Sequence, residues 1–350
     1  MSLSDLPPPA RNPSEGPRIV TLGGGHGQAA LLSALAGLEC ELSAVVSIAD
    51  DGGCSGRLRE ELHMPPPGDL RRCLASLATE SEVAARFEER LHGGDEAGRC
   101  VGNLVLAELR QELGSLQLAV DWAAALLGCV GRVVPAAESA GVLTVWDREH
   151  GPLAGESLIE RSSAAPLVVV VEGPEAASEH AREAIERADV LLLGPGSFVG
   201  STLAVLATGD VAACVASSRA RRILMKNVAK EPTAPGLEGF ELVDHERMLA
   251  DHLLIASGGE PVGFDVLGHD PAGYSSTPRR GAGCSLGAPM ADASGRRHDV
   301  ALLREALAHH LGLGPRRARA TEPRHLEPRA LLEQRLESAR RRLFGGSPSG

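Results

Sequence analysis

The chain of 350 residues contains few aromatic residues, only two lysines and no long hydrophobic run. Aromatic residues make up 2% of the sequence, so the stacking platforms that bind single-stranded nucleic acids are scarce. A net charge of −11 also argues against nucleic-acid binding, because that affinity depends on lysine and arginine. No apolar run reaches the roughly 18 residues typical of a transmembrane helix. We therefore expect neither a nucleic acid nor a membrane as a partner.

The seven cysteines include no CxxC pair, and residues 1–17 lack the basic and apolar segments of a signal peptide. Scattered thiols are typical of a reducing compartment, so the sequence predicts a cytoplasmic protein. Cys54 and Cys73 come near predicted helix N-termini, where thiol pKa values fall. The sequence places no histidine partner beside either thiol, so we expect no nucleophilic role for them.

Apolar strands alternate with helical patterns between residues 18 and 313. Strands are predicted at 18–22, 43–49 and 166–171, others begin the segments 189–201 and 221–232, and a hairpin is expected in 142–160. This alternation predicts an α/β fold, a Rossmann-like three-layer sandwich with a mostly parallel central sheet. Residues 1–17 are expected to form a disordered tail. Residues 314–350 form a basic tail whose predicted helix either docks on its own chain or contacts a partner.

Glycine-rich turns follow three of the predicted strands. The first contains Gly24, Gly25, His26 and Gly27, and residues 25–30 fit the GxGxxA pattern of dinucleotide sites. The second follows Asp50 and Asp51, and the third is the GPGS segment at 194–197. Glycine lets the backbone approach a phosphate, and a helix N-terminus faces its charge. Because ligands of open α/β sheets bind beyond the carboxyl ends of the strands, we expect the three turns to line one crevice.

Two adjacent carboxylates, Asp50 and Asp51, distinguish the second turn from that of a nicotinamide site, which needs one acidic residue there. An NAD-dependent oxidoreductase is therefore disfavoured. Paired carboxylates beside a phosphate-binding turn suit Mg²⁺, and they also suit sugar or base hydroxyls. The sequence offers Asp50 and Asp51 as a candidate Mg²⁺ site and predicts no other cofactor. The alternative, in which Asp50 caps the following turn and Asp51 is solvated, stays open.

The segments GGGHG, ADDGGCSGRLREEL, PPGDLRRCLASLA, GNLVLAEL, GPGS and NVAKEP occur in that order. Together they resemble the YvcK group, also called the gluconeogenesis factor family, which is related to the 2-phospho-L-lactate transferase CofD. The resemblance covers residues 18–312. It implies a Rossmann-like fold and a cytoplasmic regulatory protein that binds a nucleotide sugar such as UDP-N-acetylglucosamine. It also implies effects on cell shape, peptidoglycan precursor supply and carbon metabolism.

The resemblance also implies a set of ligand-binding residues. Carried over by motif, they are Gly24, Gly25, His26, Gly27, Asp50, Asp51, Gly53, Ser55, Arg57, Gly68, Asp69, Arg71, Asn103, Gly194, Gly196, Ser197 and Asn227. His26 stands where the family usually has threonine, and no catalytic residue is identified.

The related CofD branch implies an alternative function. In that reading the chain is a Mg²⁺-dependent transferase that moves a phosphorylated group from a nucleotide donor to an acceptor hydroxyl. The regulatory reading instead implies a protein partner, and formation of a homo-oligomer is a further expectation. Neither association has a readable motif in the sequence.

Overall fold

The computed structural model describes residues 16–92, 96–146, 151–159, 166–229, 242–279, 283–317 and 327–344. Within these residues the strands are β1 (Arg18–Gly23), β2 (Glu41–Val46), β3 (Arg132–Pro135), β4 (Val142–Trp146), β5 (Pro152–Ala154), β6 (Val168–Glu172), β7 (Val190–Leu193), β8 (Arg221–Met225), β9 (Asp265–His269), β10 (Ser275–Pro278) and β11 (Cys284–Ala288).

The helices of the described residues are α1 (Gly25–Leu35), α2 (Gly53–Leu62), α3 (Gly68–Leu77), α4 (Ser81–Glu88), α5 (Val101–Leu113), α6 (Leu116–Leu127), α7 (Glu156–Ile159), α8 (Glu179–Arg187), α9 (Ala204–Leu206), α10 (Val211–Ser217), α11 (Leu242–Ala256), α12 (Val300–Leu311) and α13 (Pro328–Phe344). A π-helical segment, Phe198–Leu203, leads directly into α9.

The central sheet has the strand order β10-β11-β9-β8-β7-β1-β2-β3, and β10 is its antiparallel edge strand. The other neighbours pair in parallel. A smaller antiparallel sheet has the order β5-β4-β6, and its β4–β5 pair is the hairpin expected in 142–160. The predicted α/β fold with a mostly parallel sheet is therefore confirmed.

Successive residues of the central strands point into two different cores, as the period of two in a β-strand requires. Ile19 and Ala44 belong to one core, which contains side chains of α1, α3, α5, α6, α12 and α13. Val20 and Val45 belong to the other, which contains side chains of α8 to α11 and of the small sheet. β7 is wholly apolar, and the neighbouring strands are mainly apolar after their first residues, because both of their faces are buried there. This arrangement is the expected three-layer sandwich.

The chain changes direction across the sheet between β1 and β7. From β1 the chain continues to β2 and β3 on one side, and β7, β8 and β9 follow on the other side. Such a topological switch point leaves a crevice at the carboxyl ends of the two strands. The turns after β1, β2 and β7 all lie at this edge, since the three strands are parallel neighbours.

The helix predicted in the basic tail is α13, and it docks on the chain's own helices α4 and α5. Leu332, Leu336 and Ala339 are buried, and the hydroxyl of Ser338 donates to Glu108 at 2.8 Å. The remainder of that tail, at 318–326 and 345–350, lies outside the described residues, as does the predicted tail at 1–15.

Among the described residues, no single helix is long and apolar enough to cross a membrane. One pair of consecutive helical segments, Phe198–Leu206 and Val211–Ser217, meets the criteria of length and composition when combined, and the two halves are bent by 75°.

Replacing Leu336 with alanine should destabilise the protein by about 2–5 kcal/mol, because a fully buried leucine leaves both lost burial and a cavity. Gln334→Ala, at an exposed position of the same helix, should change the free energy of unfolding by less than about 0.5 kcal/mol. Equilibrium unfolding in urea measures both values. Equal effects of the two substitutions would contradict the docking of α13.

Candidate functional site

The first and third glycine turns are in direct backbone contact. A Cβ atom at Gly27 would lie 2.7 Å from the Cα of Gly196 and would overlap the carbonyl of Pro195. A Cβ atom at Gly196 would in turn lie 3.3 Å from the carbonyl oxygen of Gly24. The first N–H groups of a helix have no intrahelical partner, and α1 begins at Gly25, within this contact. The two turns therefore form one wall of the crevice.

Asn227 and Ser197 hold the third turn in shape. The Asn227 side-chain amide donates to the carbonyl oxygen of Gly196 at 2.8 Å, and its oxygen accepts from the Gly196 N–H at 3.0 Å. The Ser197 hydroxyl accepts from the N–H of Gly200 at 3.0 Å and so caps the π-helical segment. Both predicted residues lie at the crevice, where they orient its backbone.

Asp50 lies in the second turn beside a second carboxylate, that of Asp69. Asp50 accepts from the N–H of Gly52 at 2.8 Å and from the Ser55 hydroxyl. Burial raises the pKa of Asp50 above its ordinary value, and the negative charge of Asp69 raises it further. A Cβ atom at Gly68 would lie 3.0 Å from Oδ2 of Asp50, which shows how closely α3 approaches this turn.

Asp69 also reaches the first turn, because its Oδ2 would overlap a Cβ atom at Gly24. Its Oδ1 accepts from the Arg72 guanidinium at 2.6 Å. Asp69 therefore bridges the first and second turns. Through it and the Gly27 contact, the structure brings together these predicted residues: Gly24, Gly25, Gly27, Asp50, Ser55, Gly68, Asp69, Gly194, Gly196, Ser197 and Asn227.

The side chains of Asp50 and Asp51 contact different parts of the chain, since Asp50 faces Gly68 and Asp51 faces Gly155. Oδ2 of Asp51 lies 2.5 Å from the position of a Cβ atom at Gly155, at the start of α7. The charge of Asp69 contributes to the raised pKa of Asp50. Asp69 is thus a further carboxylate for a cation at this turn, and the Asp50–Asp51 pair stays a prediction.

Arg71 and Asn103 form a buried network behind the second turn. The Arg71 guanidinium donates to Glu88 at 2.7 Å and to Oδ1 of Asn103 at 3.0 Å. Arg71 is buried and ion-paired, which offsets the unfavourable position of a cation in the first turn of a helix. Its guanidinium thus orients Asn103.

Two predicted residues of α2 lie toward solvent. The Arg57 guanidinium donates to the carbonyl oxygen of Ala97 at 3.4 Å, and no contact in the described part of the chain joins it to the glycine turns. Gly53 is exposed, and no atom lies within 4 Å of the position of its Cβ. The structure therefore gives Arg57 and Gly53 no place at the wall of the crevice.

His26 is exposed on the first turn. Partial desolvation lowers the pKa of His26, and the positive charges of Arg72 and Arg297 lower it further. The imidazole is therefore neutral at pH 7 in a positively charged environment. Such an environment favours the binding of an anion next to the ring.

Sequence reasoning missed two carboxylates near the site. Glu88 pairs with Arg71, and Oε1 of Glu156 would overlap a Cβ atom at Gly200, beside the third turn. Neither follows a glycine turn in the sequence, so no local pattern marks them. Each reaches the site through tertiary packing.

A cavity adjoins the third turn at the carboxyl end of β8. Its volume is about 20 Å³, room for about one water molecule, and it is open to solvent. Its lining includes Phe198, Met225, Lys226, Asn227 and His245. The rings of Phe198 and His245 are stacked, with centroids 4.2 Å apart and planes inclined by 12°. The cavity extends the crevice away from the carboxylates.

No group of three or more His, Cys, Asp or Glu side chains in the described part of the chain is arranged to hold a metal ion. Mg²⁺ is commonly bound by one or two carboxylates together with water and substrate phosphates. Asp50 and Asp69, next to the glycine turns, fit that pattern, and they do not form an all-protein cage.

Comparisons with known proteins agree with this geometry. Residues 19–267 match the protein family described as 2-phospho-L-lactate transferase CofD. A provisionally named gluconeogenesis factor of Nostoc sp. is 35% identical over 255 residues, 72% of this chain and 54% of that protein. One of Thermotoga maritima is 33% identical over 238 residues, 67% of this chain and 75% of its own length. A crystal structure of a Bacillus halodurans protein has a TM-score of 0.73 and 27% identity, and the match covers 83% of this chain and 99% of that one.

Asp50→Asn should raise the melting temperature at pH 7.5 by roughly 2–4 °C, as expected for a stabilisation of about 1 kcal/mol. A raised carboxyl pKa means that the folded state binds this proton more tightly than the unfolded chain, so stability falls as the pH rises above the ordinary value of 3.8. The asparagine carries no charge, so its advantage should shrink as the pH is lowered toward 4.5 or below.

Differential scanning fluorimetry across this pH range provides the measurement, and Asp51→Asn is the matched control. The Asp51 carboxylate faces Gly155, so its replacement should give a smaller change. A lower melting temperature for Asp50→Asn at pH 7.5 would contradict the pairing of Asp50 with Asp69.

Proposed function

This chain belongs to the gluconeogenesis factor family and carries a CofD domain, and on that basis we propose that it is a cytoplasmic regulator that binds a nucleotide sugar. The proposed ligand class is UDP-N-acetylglucosamine and related nucleotide sugars. One observation carries the proposal: three glycine turns meet at the switch point of the sheet around the carboxylates of Asp50 and Asp69.

The phosphates of the nucleotide would lie against the first and third turns. The N-terminus of α1 offers unpaired backbone N–H groups and the positive end of a helix dipole. Glycine at 24, 25 and 27 keeps side chains away from that surface. Arg72 and Arg297, whose charges reach His26, add positive potential at the same turn. These features favour a ligand with two adjacent phosphates over a neutral sugar.

Asp50 and Asp69 would hold a Mg²⁺ ion that accompanies the diphosphate. The chemistry of the donors fits, because carboxylate oxygens are the ligands that Mg²⁺ prefers. When bound, the ion would neutralise phosphate charge. It would also remove the repulsion between the two carboxylates that raises the pKa of Asp50. Ser55 and Gly52 orient Asp50 by hydrogen bonds before any ligand arrives.

The base or the sugar would lie over the open mouth of the small cavity beside the third turn. The cavity itself has a volume of about 20 Å³, room for about one water molecule, so the ligand would contact its rim and not fill it. The lining combines Phe198 and Met225 with the ammonium of Lys226 and the amide of Asn227. Apolar surface with a few polar groups is the usual composition of a site that distinguishes one nucleotide sugar from another.

A regulatory protein of this kind acts through ligand-dependent differences in shape or partner preference. We place its role in peptidoglycan precursor supply, cell shape and carbon metabolism, with a protein partner as the receiver of the signal. A nucleotide sugar is a suitable signal, because its concentration reports the supply of cell-wall precursors.

Isothermal titration calorimetry of the full chain with UDP-N-acetylglucosamine and Mg²⁺ should show saturable binding. Asp50→Asn should weaken that binding by about tenfold or more, equivalent to about 1.4 kcal/mol, because one charge facing the cation is lost. The same variant should be more stable than the wild type, so weaker binding cannot be attributed to unfolding.

Asp121→Asn is the matched control for this titration. Asp121 is also a partly buried aspartate with a raised pKa, but it lies on α6 and accepts from Gln117 at 2.8 Å. Its replacement should leave the affinity unchanged. No binding of any UDP-sugar to the wild-type protein, with or without Mg²⁺, would refute the proposal.

One observation favours a second function, a CofD-like transferase. His26 is exposed on the phosphate-binding turn and its lowered pKa keeps the imidazole neutral at pH 7. A neutral imidazole can accept the proton of an attacking hydroxyl. Such an enzyme would release a nucleoside monophosphate as the phosphorylated group passes from the nucleotide to the acceptor.

Chromatography of nucleotides after incubation with Mg²⁺ and panels of donors and acceptors tests this second function. Turnover should be lost in His26→Ala by about 100-fold, the usual contribution of a general base, while calorimetric binding is retained. Absence of nucleoside monophosphate across all panels would contradict the transferase function, and only the regulatory function would then remain proposed.

A further inference from the structure

The sulfur of Cys54 lies at the N-terminus of α5, where it accepts two hydrogen bonds. The backbone N–H of Cys100, the residue that caps α5, donates to Cys54 Sγ at 3.4 Å. The side-chain amide of Asn103, in the first turn of α5, donates to the same sulfur at 3.3 Å. A helix N-terminus stabilises a negative charge, so this position favours a thiolate over a thiol.

The thiol of Cys100 is a further hydrogen-bond partner of Cys54, and the two side chains affect each other in opposite directions. The hydrogen bond from Cys100, with those from the amides and the charge of Arg99, lowers the pKa of Cys54 to about 5. The same contact and burial raise the pKa of Cys100, although Arg71 and Arg90 act against that rise. The contact thus favours the thiolate form of Cys54 and the thiol form of Cys100.

Other buried cysteines of the described chain lack this environment. Burial raises the pKa of Cys40 to about 11. Burial also raises the pKa of Cys73, with a contribution from the charge of Asp69. Cys73 lies on α3 beside Gln28, where its sulfur donates to the amide oxygen at 3.5 Å. These two thiols therefore serve as internal references for the reactivity of Cys54.

We propose that Cys54 and Cys100 form a redox-sensitive modification site, in which hydrogen peroxide oxidises the pair to a disulfide. The proposal goes beyond nucleotide binding and does not depend on it. The thiol of Cys100 is a hydrogen-bond partner of Cys54, which follows the exposed Gly53 at the start of α2. Both side chains are buried, so the oxidant reaches Cys54 when the first turn of α2 opens locally beside Gly53.

Two steps complete the oxidation. The Cys54 thiolate attacks one peroxide oxygen, an S–O bond forms, the O–O bond breaks, and hydroxide leaves to become water on protonation. The Cys54 sulfenic acid no longer carries the charge that raises the pKa of Cys100. The Cys100 sulfur then attacks the Cys54 sulfur, an S–S bond forms, and the hydroxyl leaves with the Cys100 proton as water. Two thiols are oxidised and one peroxide is reduced to two waters.

The disulfide would change the surroundings of Asn103. Formation of the S–S bond removes the negative charge to which the Asn103 amide donates. Asn103 also accepts from Arg71, so the change reaches the network behind the second turn. A thiol reductant of the cytoplasm would restore the original pair by thiol–disulfide exchange.

The experiment treats the reduced full-length chain with hydrogen peroxide and follows each cysteine by quantitative mass spectrometry. Cys54 should lose its free thiol at least about tenfold faster than Cys73 and Cys40, and a Cys54–Cys100 disulfide should accumulate. In Cys100→Ser, dimedone should trap a sulfenic acid at Cys54 in place of the disulfide. Cys73→Ser is the matched control and should oxidise at Cys54 at the wild-type rate.

A second measurement uses the wild-type protein alone, so it does not depend on the folding of any variant. The rate of iodoacetamide alkylation at Cys54 should level off above about pH 6, because its pKa is near 5. Alkylation of an ordinary thiol keeps rising to pH 8 and beyond. Oxidation of Cys54 no faster than that of Cys73, or a sulfenic acid that persists with Cys100 present, would overturn the proposal.

Discussion

The candidate site depends on the close approach of two backbone segments, the start of α1 at Gly27 and the third turn at Pro195–Gly196. β1 and β7 are parallel neighbours, so the turns that follow them meet at one edge of the sheet. Gln28 fixes α1 at this distance, because its amide donates to Thr21 Oγ1 at 3.0 Å and to the carbonyl of Val45 at 3.2 Å. One buried side chain thereby ties the helix to β1 and β2. A side chain at Gly27 would force the two turns apart and open the wall of the crevice that forms the proposed phosphate-binding surface.

The charges around this wall are not fully compensated within the chain, because the carboxylate of Asp50 lies beside that of Asp69. Arg72 pairs with Asp69, and Arg71 pairs with Glu88, so both of these guanidinium groups already have a carboxylate partner. Asp50 has hydrogen bonds from Gly52 and Ser55 but keeps a carboxylate neighbour. Sites that bind charged ligands commonly retain such unfavourable contacts, which the ligand relieves. The stability of the free protein and the strength of its ligand site are therefore opposed at Asp50.

Much of the fold, and part of the site, was accessible from the sequence. Buried parallel strands are short apolar runs, and glycine turns after them mark the carboxyl edge of the sheet, so the convergence of 24–27, 50–55 and 194–197 was predicted. Contacts between segments that are distant in the sequence could not be predicted. Asp51 turns toward Gly155, Arg57 donates to Ala97, and Cys54 meets Cys100, because packing of α7 and α5 decides these directions. The assignment of Asp50 and Asp51 as one metal pair therefore stays a prediction, with Asp69 as a further carboxylate beside Asp50. The position of Cys54 at the N-terminus of α5 is a contact that no local sequence pattern indicates.

The docking of α13 on α5 has a consequence for the order in which the protein is made. Ser338 and Glu108 are hydrogen-bonded across 230 residues of sequence, and Glu108 is completely buried. At ribosomal speeds of about 5–20 residues per second, roughly 12–46 s pass between the emergence of Glu108 and that of Ser338 from the exit tunnel. During that interval the α5 face that α13 later covers is open, with a carboxylate at its centre that keeps it hydrated. The acidic side chain thus suits a surface that must stay soluble on the nascent chain and is covered only once α13 has been synthesised.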